Sequence, residues 1–161
     1  MLAVLGGTEG LALVHDETPY LRALGARVEG VPETLERLAN DVALIVRVAV
    51  ASNPATPVAG LAALYREGCW HVRVELAENP SSPSWMVAFL AGDRLPRVRA
   101  AVASVPAVPS FIVAQLVVDP DWHVRAALAA NKAVSRFALG TLAEDRDLRV
   151  AAVGRKTLHL A

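Results

Sequence analysis

Apolar and polar positions along this chain form a block that recurs. The stretches "DVALIVRVAVASNPATP" (41–57), "EGCWHVRVELAENPSSP" (67–83), "DRLPRVRAAVASVPAVP" (93–109) and "DPDWHVRAALAANKAVS" (119–135) align without gaps at a spacing of 26 residues. Inside each block apolar residues return at i, i+4 and i+5, as in Val46, Val50 and Ala51 or Val124, Leu128 and Ala129. That spacing draws one apolar stripe on a short helix. A break follows at "NP", "NP", "VP" or "NK". Proline there withholds an amide donor and pushes the preceding residue out of the helical region. A second helix is predicted from "TP", "SP" or "VP", with Thr56 and Ser82 as its caps and Pro57, Pro83 and Pro109 in its first turn. Within it Leu61 and Leu64, Val87 and Leu90, Val113 and Leu116, and Leu139 and Leu142 stand at i, i+3 and are expected to face the core.

Two charged columns run through the same alignment. Asp41, Glu67, Asp93 and Asp119 share one, and Arg47, Arg73, Arg99 and Arg125 share another six residues later. A looser copy precedes them at Asp16 and Arg22, and a shortened one follows at Asp145 and Arg149. One unit cannot bury its stripe alone, whereas stacked units can. The expected fold is therefore all-α: a right-handed α-solenoid of about five 26-residue two-helix repeats, some of whose short helices have room to be one-turn 3-10 segments. Residues 1–161 are expected to form a single repeat domain, with a cap at 1–15, repeats at 16–40, 41–66, 67–92, 93–118 and 119–144, and a partial repeat at 145–161.

The motif D-x5-R-x5-N-P followed by "TP" and L-x-x-L resembles the leucine-rich repeat variant family and, more broadly, HEAT-like and armadillo-like repeats, over roughly residues 16 to 156. The resemblance implies the architecture and says little about function. It also implies an Asp and Arg ladder, a feature of HEAT-like repeats. Relatives of the variant family can carry a cysteine-rich iron–sulfur module; the lone Cys69 cannot supply its ligands.

An active site needs one constellation, and a column repeated through a stack would offer several. The columns are accordingly read as scaffold, each arginine lying between a carboxylate of its own unit and one of a neighbour about 8 to 10 Å away. Asn53, Asn79 and Asn131 are expected to form a second ladder by bonding backbone at the interhelix turn.

Composition narrows the function classes. Sixteen basic residues balance sixteen acidic ones, so the bulk field attracts neither a polyanion nor an anionic membrane. A single cysteine excludes an internal disulfide and points to a reducing cytoplasm by default. The start, "MLAVLGGTEGLALVHDE", lacks a basic n-region, and no run reaches the length of a membrane helix. No nucleophile elbow, P-loop or dinucleotide fingerprint is present, so no enzyme and no cofactor is expected. Cys69 and His71, two apart on a helix, would point in different directions. Glu67, His71, Glu75 and Glu78 form the one local metal candidate, with solvated charge or a salt bridge as the expected role. Glu75 breaks a column otherwise holding Ala49, Ala101 and Ala127. His15 and His159 have no supporting neighbours.

Aromatic residues are only 5% of the chain, which makes their placement informative. Trp85, Phe111 and Phe137 share the column of Ala59, with Phe89 one turn after Trp85. Packing between successive second helices, beside the small residues Ala62, Ala88, Ala114 and Gly140, is the expected role; the alternative is a partner-binding stripe on the inner curved surface. The expected function is non-catalytic protein interaction or scaffolding with an unknown protein partner. The rival partner is nucleic acid, gripped by Arg94 and Arg97 or by Arg155 and Lys156 near the end "RKTLHLA". At that end a second helix would just be starting, leaving Leu158 and Leu160 as a surface for end-to-end self-association.

Overall fold

In the computed structural model, which describes residues 12–160, the conserved-looking spacing of the blocks becomes a series of helix starts. Each Asp of the first column accepts the amide two residues on: Asp16 from Thr18, Asp41 from Ala43, Asp93 from Leu95, Asp119 from Asp121 and Asp145 from Asp147, all at 2.7 to 2.9 Å. This turn places the chain at the entry of a helix and satisfies a backbone donor there. Where Glu67 takes the place of Asp, Gly68 follows with φ 81, a left-handed conformation that suits glycine.

Eleven α-helices result among the described residues: α1 (Pro19–Val28), α2 (Pro32–Leu38), α3 (Leu44–Ser52), α4 (Val58–Glu67), α5 (Trp70–Glu78), α6 (Ser84–Ala91), α7 (Pro96–Ser104), α8 (Ser110–Leu116), α9 (Trp122–Ala130), α10 (Arg136–Ala143) and α11 (Leu148–Leu160). Odd numbers are first helices of the repeats and even numbers second helices. The all-α fold of helical repeats is thus observed, with no strand among the described residues and no 3-10 segment. None of the helices is long and apolar enough to cross a membrane.

The chain divides into two compact units, one up to Pro83 and one from Ser84. In the first unit α1, α3 and α5 pack side by side as one layer, with α2 and α4 against them. In the second unit α7, α9 and α11 form the equivalent layer, backed by α6, α8 and α10. First helices supply the interior through the expected stripe: Val46, Val50, Ala51, Val124, Leu128 and Ala129 are all fully buried. The second helices differ from expectation by one position. Leu61 and Leu139 are buried with Leu64 and Leu142, but in α6 and α8 the buried pairs are Met86 with Leu90 and Ile112 with Leu116, at i, i+4, while Val87 and Val113 are half-buried. A helix turns about 100° per residue, so i+3 and i+4 straddle the same face and a small rotation exchanges their roles.

Thr56 does not cap the helix that follows it. The Thr56 and Ser82 hydroxyls donate 2.6 Å bonds backwards, to the Val50 and Leu76 carbonyls at the ends of α3 and α5. Carbonyls of a last turn lack the next turn's amides; Val50 O accepts the Asn53 amide as well as the Thr56 hydroxyl. Pro57 and Pro109 sit at the N-cap rather than in the first turn.

Within each unit arginine then ties one repeat to the next. Arg22 holds Asp41, Arg47 holds Glu67, Arg99 holds Asp119 and Arg125 holds Asp145, in each case through Nε and Nη2 to the two carboxylate oxygens at 2.6 to 3.0 Å. The partner inside the arginine's own repeat is a backbone carbonyl rather than a carboxylate: Arg47 Nη1 donates to Asp41 O, Arg99 Nη1 to Asp93 O and Arg125 Nη1 to Asp119 O. Arg73 does the same to Gly68 O. Arg149 departs from the pattern, bonding Asp147 two residues before it and lying over the Trp122 ring at 3.5 Å. Asparagine makes a parallel set of links. Asn53 Nδ2 donates to the Ala26 and Glu29 carbonyls, Asn79 Nδ2 to those of Ala51 and Asn53, and Asn131 Nδ2 to those of Ala103 and Val105.

At "RKTLHLA" the helix does not break: α11 continues through Leu160, because no proline or asparagine interrupts it. It packs closely on α10, where a Cβ at Gly154 would lie 2.8 Å from the Ala143 amide nitrogen. Leu158 is half-buried.

Two outcomes are expected from the arginine links. The Arg125 and Asp145 side chains are only 5% and 8% exposed. Arg125→Ala should therefore cost on the order of 3 kcal/mol, because it strands a buried carboxylate. Adding Asp145→Asn, which keeps the acceptor for the Asp147 amide, should recover part of that loss in urea denaturation; a double variant less stable than the single one would contradict this account. The second outcome concerns acid. Hydrogen bonds from Arg22 and Arg125 hold the Asp41 and Asp145 carboxyls below the ordinary aspartate value. Groups depressed in the folded state stabilise it above the unfolded value, and that stability is lost as pH falls from about 4 through the folded value. Melting temperatures measured downwards from pH 6 should drop in this window, and less steeply for Asp145→Asn.

Candidate functional site

The second helices of the unit from Ser84 carry the aromatic column. Packing leaves these side chains at the surface instead of enclosing them between helices: Trp85 is 45% exposed, Phe89 65%, Phe111 61% and Phe137 87%. The reason is rotational. With Met86 and Leu90 of α6, Ile112 and Leu116 of α8, and Ala138 and Leu142 of α10 turned inwards, the position one residue earlier faces solvent. Trp85 and Phe89, one turn apart, meet edge to face at 6.3 Å between ring centroids.

Small residues keep this surface indented. Between α8 and α10 lies a groove of about 390 Å³, lined by Val113, Ala114, Val117, Val134 and Thr141 with Phe137 at its side. The room that Ala114 and Gly140 leave is not filled by the aromatic rings. Nothing lies within 4 Å of where a Gly140 Cβ would stand. Exposed rings and a largely apolar groove, which share Phe137, are features of the kind that marks recognition sites.

The arginine candidates are arranged differently. Arg94, Arg97, Arg155 and Lys156 are exposed, and Arg155 Nη1 also donates to Ala143 O. Arg99, the ladder arginine nearest to Arg97 in sequence, has its guanidinium committed to Asp119 and the Asp93 carbonyl. At the 26-residue spacing Arg97, His123 and Arg149 fall on one row of the first helices. Asp121 meets His123 Nδ1 at 2.9 Å, and Asp147 meets Arg149 at 2.7 Å. The hydrogen bond from Arg149 lowers the half-buried Asp147 carboxyl to about 2. Carboxylates thus interrupt the row, which weakens its attraction for a polyanion.

Around Cys69 local geometry changes one expectation. Cys69 is the N-cap of α5 and lies outside its helical residues, so its Sγ reaches to 3.7 Å from His71 Nδ1. Sequence spacing misses this because the i, i+2 rule holds only inside a helix. Asp121 and His123 repeat the same geometry at the start of α9. Of the local metal candidates, Glu67 is engaged by Arg47. Among the described residues no three or more His, Cys, Asp or Glu side chains gather as metal ligands. His15 and His159 are exposed.

Sequence reasoning did not single out one surface in the unit up to Pro83. Leu44, Ile45 and Val48 of α3 face Trp70, His71 and Val74 of α5 across a groove of about 470 Å³, which Glu75 also lines. Burial raises the Glu75 carboxyl above its ordinary value, helped by Glu78 and opposed by Arg27. The signal in the sequence was the departure of Glu75 from an alanine column.

Comparison with known proteins agrees with the architecture. No family model matches the chain and no curated protein does. A solved structure described as "a leucine-rich repeat variant with a novel repetitive protein structural motif" is similar to it, with a TM-score of 0.66 and 28% identity over 93% of this chain. The chain spans 60% of that structure's length. In fold and in repeat sequence, this protein is a helical-repeat chain similar to a leucine-rich repeat variant.

Proposed function

We propose that the chain is a non-catalytic protein-interaction module whose binding face is the aromatic row of α6, α8 and α10. A helical-repeat fold suggests an interaction or scaffold role in general. The observation that carries the specific reading is the exposure of Trp85, Phe89, Phe111 and Phe137 beside the α8–α10 groove. Large aromatic rings with this much surface in water contribute less to the core than enclosed ones would. At an interface they bring the largest buried area for the least lost side-chain entropy, which is why such residues dominate binding energies. Successive second helices stand about 8 to 10 Å apart. A partner segment that presents apolar side chains at that interval can engage Phe111 and Phe137 together.

The test uses peptides selected from a random display library on the wild-type chain. Phe111→Ser with Phe137→Ser should weaken the selected peptides at least tenfold, about 1.4 kcal/mol, while leaving the melting temperature nearly unchanged because both side chains are exposed. Equal binding by the double variant would sink the assignment. Titration with duplex DNA at two salt concentrations examines the rival partner. A steeply salt-dependent affinity, abolished by alanine at Arg94, Arg97, Arg155 and Lys156 and untouched by the phenylalanine substitutions, would replace the protein partner with nucleic acid.

A further inference from the structure

The groove between α3 and α5 lies in the other unit and shares no residue with the aromatic row. Its composition departs from the later repeats at Leu44, Ile45, Val48, Val74 and Glu75. Where α7 has Pro96, Arg97 and Ala100 and α9 has Trp122, His123 and Ala126, α3 has Leu44, Ile45 and Val48. In α5 the same positions are Trp70, His71 and Val74, and the alanine of the next column becomes Glu75. Leu44 and Ile45 remain exposed, as does Val42 just before them. Against α7 and α9, α3 has therefore gained three large aliphatic residues, whereas α5 shares its Trp and His with α9 and differs from it in the groove lining by Val74 in place of alanine and by the one added carboxylate, Glu75. The ladder needs none of these changes, since Arg47 and Glu67 pair regardless.

We infer that the α3–α5 groove is a second docking site, for a polypeptide segment of a partner protein that presents a lysine or arginine flanked by bulky aliphatic side chains. The walls supply the apolar half of the match: at about 470 Å³ the groove falls within the range of about 300 to 1,000 Å³ typical of recognition pockets. Glu75 supplies the charged half. The groups around it are Glu78, which raises its carboxyl further, Arg27, which partly offsets this, and His71 in the same groove lining. A carboxylate partly removed from water and only partly offset by Arg27 costs the fold free energy, and the alanine found elsewhere in the column would avoid that cost. A cation brought by a partner recovers it, because the attraction acts in surroundings from which water has been partly excluded.

The experiment removes the aromatic face first, so that failure of the previous proposal and failure of this one can be told apart. A random display library is selected on the Phe111→Ser/Phe137→Ser variant, and the enriched peptides are synthesised and titrated by calorimetry. The expected result is peptides with Lys or Arg beside Leu, Ile or Val, weakened at least tenfold by Glu75→Gln and by Ile45→Asp. Glu75→Gln and Glu75→Ala should both raise the melting temperature at neutral pH, which confirms that lost binding is not lost folding. Enrichment of nothing, or of peptides indifferent to both substitutions, overturns the site. Peptides sensitive to Ile45→Asp but not to Glu75→Gln overturn the cationic requirement. Concentration-dependent sedimentation abolished by Ile45→Asp would instead assign the groove to a second copy of this chain.

Discussion

A helix of seven to ten residues is barely stable by itself in water, and all but one of the helices here are of that length. The structure depends on the consequence: each apolar stripe must be covered by the next helix in its layer. Full burial of a leucine contributes about 1.5 to 3 kcal/mol. The fully buried Leu61, Leu64, Leu90, Leu116, Leu128 and Leu139 therefore outweigh what the polar links contribute individually. Apolar cover alone would not fix how far one helix slides along another. The arginine links do, since each guanidinium must reach two carboxylate oxygens ahead and one carbonyl behind. Each aspartate of the column also orders the amide two residues on, so at Asp41, Asp119 and Asp145 repeat-to-repeat spacing and helix initiation share one group.

This arrangement leaves little uncommitted positive charge along the ladder. A guanidinium gripping a carboxylate is already neutralised and largely covered. Any basic surface must come from arginines outside the column, and on the first helices of the unit from Ser84 those alternate with Asp121 and Asp147. The same reasoning separates scaffold from surface throughout. Columns that keep one chemical type, such as the Asp, Arg and Asn positions, form inter-repeat bonds. Columns whose residues change from repeat to repeat, such as Ile45, His71, Arg97, His123 and Arg149, lie outside the ladder and give each repeat its own exterior.

Two surfaces stand out by that criterion, and they differ in kind. The row from Trp85 to Phe137 is aromatic and lies beside an uncharged groove. The α3–α5 groove joins aliphatic residues with Trp70, His71 and the half-buried Glu75. Their chemistries call for different partner segments, an uncharged apolar one and a cationic one. Carrying two such faces is consistent with a protein that brings other chains together.

The 26-residue period, the alternation of first and second helices, the breaks at Asn-Pro and the charged columns were all determined by the sequence, because they follow from local chemistry: a missing amide, a helical stripe, a repeated spacing. Tertiary structure decided the direction in which each side chain points. The rotation of α6 and α8 that buries Met86 and Ile112 and exposes Trp85 and Phe111 is a turn of less than one residue, which an i, i+3 pattern does not resolve. The Thr56 and Ser82 hydroxyls reach back to carbonyls in the last turn of the preceding helix, a contact that their place before a second helix does not announce. The α3–α5 groove exists only where two helices 26 residues apart meet, so its walls are invisible along a single segment. What sequence carried of that groove was Glu75, the one acid in a column of alanines.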